Sequence, residues 1–232
     1  MRHGKPMVFL AGILLLLLIA PLFLSRFYVY LTALILVTGL LATSLNMVLG
    51  YGGMYQFHHA VFYGAGAYAF TLVLKNSGLP VVFAFLAGPI FAGLLAFVMG
   101  LICVRLTKLY FGMLQISLGS LVWAIVFRWY SFTGGDDGIH GVPLPDVISS
   151  TDGAYYLILA VTAVSMLLMS FIVNSPFGRV FQAIRDNPER SEAIGVNVRR
   201  HQLMGLVIAG FFAGVAGAFW VSNTAALSPE HF

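Results

Sequence analysis

Two stretches carry side chains whose types and spacing bear on chemistry. The first, Gly50-Tyr51-Gly52-Gly53, breaks an apolar sequence without any charge and runs directly into Gln56, His58 and His59. Imidazoles beside a carboxamide suit a metal site, an intramembrane enzyme or a polar cavity wall. Metal binding fits poorly, because adjacent helical residues point about 100° apart and no nearby cysteine or carboxylate completes a ligand set. An enzyme fits poorly too: the apolar runs lack carboxylates and the single cysteine, Cys103, is remote. Two readings stay open. The stretch is a tight turn with one histidine hydrogen-bonded to a carbonyl, or a discontinuous helix lining a cavity. In the second reading the candidate lining residues are Asn46, Gly50, Gly52, Gly53, Gln56, His58, His59 and Gln115.

The second stretch lies within 174–203, the longest polar part of the chain. Ser175-Pro176 starts a helix, the serine accepting from free N–H groups and the proline pre-set at the first helical position. Phe177, Val180, Phe181 and Ile184 recur at helical spacing and form an apolar stripe beside Arg179, Arg185 and Asp186. Asn187-Pro188 ends that helix and caps a second, with Glu189 and Glu192 in or near its first turn and Gly195 at its left-handed C-terminal position. Two short helices with a sharp bend are expected. The stripe either lies on lipid headgroups, with arginines neutralising anionic lipid, or docks in a groove on a cytoplasmic protein, with mixed charges setting register.

The elements that must position these stretches follow from composition. Only 9% of the 232 residues are charged and 60% are hydrophobic, far from the balance of a water-soluble domain. Crossing the hydrocarbon core takes about 20 apolar residues. Seven such runs appear, at 7–24, 28–49, 57–74, 80–104, 109–130, 154–173 and 204–225. The expected fold is all-α, a single polytopic membrane domain over 1–232. The first run resembles a signal peptide but has no clear small-x-small cleavage site before Arg26, so it is kept as a span. The net charge of +4 is a topology signal, not a nucleic-acid footprint. With the N-terminus in the cytoplasm, nine of the twelve basic residues fall inside, leaving Arg26, Lys75 and Arg128 outside. The outer loop 131–153 then holds Asp136, Asp137, Asp146 and Asp152, and 174–203 is cytoplasmic.

The runs contain no aspartate or glutamate, whereas ion-coupled carriers and proton pumps place ionisable groups within the bilayer. An external energy source is therefore expected. A stand-alone carrier of non-ionic solutes is the rival reading, and an ATPase and a secreted binding protein encoded beside this chain discriminate against it. No G-x-x-x-x-G-K loop is present, so the chain is not itself an ATPase.

Four stretches in order resemble the permease family of branched-chain amino acid ABC importers, most closely its M-type subunit. They are Ser44 to Gly53 running into His59 to Tyr68, Leu109 to Leu114, Thr133 to Ile139, and Ser175 to Asn187 with Glu192 to Asn197. The resemblance covers about residues 40–230 and implies a multi-pass protein of a bacterial or archaeal inner membrane. It implies as partners a second permease subunit, cytoplasmic ABC ATPase subunits and an extracytoplasmic amino-acid-binding protein, with no cofactor and no catalytic residue on this chain. The family's coupling loop maps onto 175–197. That makes Phe177, Val180, Phe181, Ile184, Arg185, Asp186, Glu192 and Gly195 the expected ATPase-docking residues and the glycine-interrupted stretch the expected translocation path. The chain departs from the family pattern at Gln56 and His58, where serine and glycine are common. Family members also continue past Phe232, so a C-terminally incomplete chain is expected.

Overall fold

Lipid offers backbone groups no hydrogen-bond partner, so an apolar chain satisfies them internally, in helices. A computed structural model of the chain shows this arrangement; it describes residues 4–78, 80–106, 108–141, 150–224 and 226–227. Helices occupy all seven apolar runs: α1 (Gly4–Phe23), α2 (Arg26–Asn46), α3 (Ala60–Asn76), α4 (Val81–Cys103), α5 (Lys108–Arg128), α7 (Thr151–Asn174) and α10 (Val198–Thr224). Between them lie a four-residue helix α6 (Tyr130–Thr133) and the polar-loop helices α8 (Pro176–Asp186) and α9 (Pro188–Ala193). Five helices are long and apolar enough to cross a membrane by length and composition: α2 with the turn that extends it, α4, α5, α7 and α10.

The centre of the bundle is set by small residues. α10 packs on α4 and α3, and α3 on α4, while α2 joins α10 to α7. Gly66 of α3 and Gly214 of α10 touch backbone to backbone, and a Cβ on Gly88 of α4 would lie 2.8 Å from the Gly66 carbonyl. Any side chain at these positions forces the helices apart, so close helix approach here depends on glycine. Larger residues fill the space around that contact. Phe62, Leu206 and Met99 pack on the side towards the polar loop, and Phe70, Val221 and Leu227 on the opposite side. The first helix is held by α7, where Tyr155 donates from its hydroxyl to the Leu17 carbonyl at 2.7 Å.

Three boundaries differ from expectation. α10 begins at Val198 rather than 204, because the Asn197 side chain accepts from the Arg200 N–H at 3.0 Å and starts the helix early. The third run becomes helical only at Ala60. The outer loop is not plain coil: Gly135–Asp137 forms a 3-10 turn, and β1 (Ile139–His140) pairs antiparallel with β2 (Ala226–Leu227), tying that loop to the end of α10. Residues 142–149, including Asp146, lie outside the described residues.

Candidate functional site

The end of α2 does not simply stop. Its last turn widens into a π-helical turn, Met47–Tyr51, where the Gly52 N–H donates to the Met47 carbonyl at 3.2 Å. Wide turns of this kind interrupt the regular ladder and recur at functional sites. Gly53 follows at φ +63°, a conformation that side chains resist, and reverses the chain. From Met54 to His58 the backbone is neither helix nor strand and bends at Phe57, and accessibility alternates: Met54 and Gln56 are buried, Tyr55 and Phe57 exposed, His58 half-buried.

Contacts with α5 give the segment's depth. A Cβ on Gly112 would meet Phe57 and the Tyr55 carbonyl, and one on Gly119 would meet the His58 ring. At 1.5 Å per residue these glycines lie about 6 Å and about 16 Å along α5 from Lys108, and the whole helix is about 31 Å long. The segment thus climbs from one end of the bundle to its middle, and α3 continues the crossing. The stretch is not a tight turn: irregular backbone from Gly52 to His59 separates the π-helical turn from α3, a break in the helical path. Nor does a histidine bind a carbonyl here. His59 Nε2 and Ser44 Oγ share a 2.9 Å hydrogen bond, and Ser44 Oγ donates to the Leu41 carbonyl at 2.7 Å. Ser44 Oγ thus bridges the Leu41 carbonyl and His59 Nε2, and His59 Nδ1 has no partner among the described residues.

The polar loop folds as its caps dictate. Ser175 accepts from the Gly178 N–H at 3.3 Å, Asn187 accepts from the Arg190 N–H at 2.9 Å, prolines occupy both first helical positions, and Gly195 takes φ +89°. The apolar stripe of α8 turns inward. Phe177 stacks on His201 of α10 and on Phe181, with ring centroids 5.8 and 5.7 Å apart. Phe181, 1% exposed, sits in a notch where a Cβ on Gly52 or on Gly205 would overlap its ring. Ile184 is also 1% exposed, and Val180 is half-buried. The groove that would receive Phe181 and Ile184 is therefore this chain's own. The reason is elementary: a stripe next to apolar helices buries most area on them.

Arg185 links the two stretches. Its Nη1 donates to the Gly50 carbonyl at 2.8 Å, while Nε and Nη2 reach Asp186 Oδ1 at 3.0 and 2.9 Å. Its stem packs where a Cβ on Gly53 would stand. Beside this contact a groove of about 750 Å³ runs between the loop, the re-entrant turn and the α4–α5 turn, with Arg105, Arg199, Asp186, Glu189 and Glu192 on its walls. Gly50, Gly52 and Gly53 thus meet the loop, whereas Gln56, His58, His59 and Gln115 lie deeper. Asn46 is exposed on the last turn of α2, apart from that deeper group. The sequence reading missed Ile194, which is 77% exposed at the end of α9 among Arg190, Glu192 and Gly195. Its only signal was an isolated apolar residue in a polar turn.

An apolar helical bundle with a re-entrant segment and a polar loop seated on it is a polytopic membrane protein. A family model, branched-chain amino acid transport system permease component, matches residues 27–232. The chain belongs to this family. It is 26% identical to the high-affinity branched-chain amino acid transport system permease protein LivM of Escherichia coli, over 98% of this chain and 60% of that protein. It is also 26% identical to the probable LivM of Methanocaldococcus jannaschii over 56% of this chain and 40% of the relative. The guanosine ABC transporter permease protein NupQ of Bacillus subtilis is 27% identical over 38% of this chain and 27% of its own length. The chain spans about 60% of the length of the E. coli relative. No solved structure matches it.

Proposed function

We propose that this chain is a permease subunit of an ATP-driven importer of branched-chain or similar apolar amino acids in a bacterial or archaeal inner membrane. Its N-terminus is cytoplasmic. It works with a second permease, cytoplasmic ABC ATPases and an extracytoplasmic amino-acid-binding protein, and ATP is hydrolysed on the partner. The single observation that carries this reading is the seat of α8 on the re-entrant segment through Phe181 and Arg185. A loop joined in this way moves the segment when a partner moves the loop.

Residues 175–197 dock the ATPase with their outward face. Asp186, Glu189, Glu192 and Ile194 are exposed there, while the inward face holds the bundle. Burying a side chain such as Ile194 is worth about 1.5–3 kcal/mol. Ile194→Asp should therefore weaken co-purification of the ATPase about ten- to a hundredfold without loosening the loop. Native co-purification in this variant moves the docking face elsewhere. For sidedness, an impermeant thiol reagent applied outside should label a cysteine at Asp137 and spare one at Asp186. The opposite pattern inverts the protein and removes the loop from the ATPase. The similarity to a guanosine permease favours a second cargo, a nucleoside, which uptake of labelled leucine against labelled guanosine distinguishes.

A further inference from the structure

Midway across the bundle, this chain encloses carboxamides that bond to nothing. Gln115 is 0% exposed and Gln56 4% exposed, yet no nitrogen or oxygen of either side chain has a hydrogen-bond partner among the described residues. Gln115 shares a face of α5 with Gly112 and Gly119, at i, i+3 and i+7, and those glycines pack against Tyr55, Phe57 and His58. That face is turned to the re-entrant segment. The Nδ1 atoms of His58 and His59 are buried and unpartnered as well. Each orphaned buried polar group is costly, and native proteins keep few of them without a use.

The start of α3 adds a second feature. This 17-residue helix begins at Ala60, about level with the middle of α5, and its N-cap residue His59 makes no side-chain capping bond. Free N–H groups at such a helix end present partial positive charge to an anionic group. The Tyr55–His58 backbone contributes carbonyls that accept no backbone hydrogen bond among the described residues. Donors and acceptors therefore gather here with no aspartate, glutamate, lysine or arginine between Tyr55 and His59 or between Leu109 and Phe127 of α5. A net ion would find no counter-charge. A net-neutral head carrying both ammonium and carboxylate would find both kinds of partner.

We propose that Gln56 and Gln115, with the unpartnered Nδ1 of His59 and the open end of α3, form a binding station for the zwitterionic head of a permeating amino acid. The station is closed in this structure and is reached when the re-entrant segment moves off α5. Carboxamide N–H groups and the Ala60 and Val61 N–H groups at the start of α3 take the carboxylate. Carboxamide oxygens, His59 Nδ1 and the Tyr55–His58 carbonyls take the ammonium. This inference rests on the proposed translocation role of the segment.

The test uses the complete importer in proteoliposomes, with Gln56→Leu, Gln115→Leu and the double variant, and measures leucine uptake, stimulated ATP hydrolysis and thermal melting. The expected result is uptake at least tenfold lower, with stimulated hydrolysis retained and a melting temperature unchanged or raised, because an unbonded buried amide has been removed. Uptake at the native rate in all three variants overturns the station. Uptake and melting temperature falling together overturn it as well, since the amides are then structural, bonded to buried water. A native importer that carries guanosine and not leucine overturns the ligand class. Failure of the proposed function is distinguishable, because the native complex then moves no leucine at all.

Discussion

Ile184→Asp should leave the chain in the membrane but strip it of the proposed ATPase contact and of uptake. Ile184 is 1% exposed on the inner wall of the groove between α8 and the bundle. Removing it forfeits about 1.5–3 kcal/mol of burial, and a carboxylate in its place adds a desolvation cost of several more. α8 has only 11 residues and is too short to stay helical without its packing. The loop should unseat, become sensitive to limited proteolysis between 175 and 197, and lose the ordered face that docks the partner. Membrane insertion survives, because the spans are untouched. Ile194→Asp is the control: it should reduce co-purification while proteolysis of the loop stays at the native level. An Ile184→Asp chain that resists protease and binds ATPase normally shows that the stripe does not hold the loop.

Phe181→Ala separates seating from transmission. The ring fills the notch formed by Gly52, at the start of the re-entrant turn, and Gly205 of α10, so a displacement of α8 in either direction presses on both. Truncating a buried phenylalanine typically costs about 3–5 kcal/mol. Here the loss falls on the contact between loop and segment, while Ile184 and the caps at Ser175 and Asn187 keep α8 formed. The ATPase should still bind and hydrolyse ATP. Uptake should fall more than tenfold.

Much of this was legible in the residues. Ser175-Pro176, Asn187-Pro188 and Gly195 encode two capped helices through local hydrogen bonds, and local signals survive any tertiary context. The apolar runs read directly as helices because lipid permits little else. What the stripe of α8 faces was not legible. Phe181 and Ile184 have the same spacing whether they meet a partner or their own helices, and only the notch at Gly52 and Gly205 decides it. The non-helical inner half of the third crossing was hidden for a different reason. Met54 to His58 is irregular over only five residues, and Tyr55 and Phe57 are apolar although they are exposed, so the run reads as part of the apolar crossing. The Gly50 carbonyl that receives Arg185 is a backbone group 135 residues away, for which no side-chain pattern exists. The pairing of Ile139 and His140 with Ala226 and Leu227 spans two residues per strand and leaves no period at all.

The central claim is that the polar loop moves the re-entrant segment through the Phe181 contact. The most direct test is the number of leucine molecules moved per ATP hydrolysed by the reconstituted importer carrying Phe181→Ala, measured against the native complex. A ratio at least tenfold below native, with ATPase still bound and hydrolysing, is the predicted result. A native ratio would mean that the loop transmits nothing through that notch and would contradict the account.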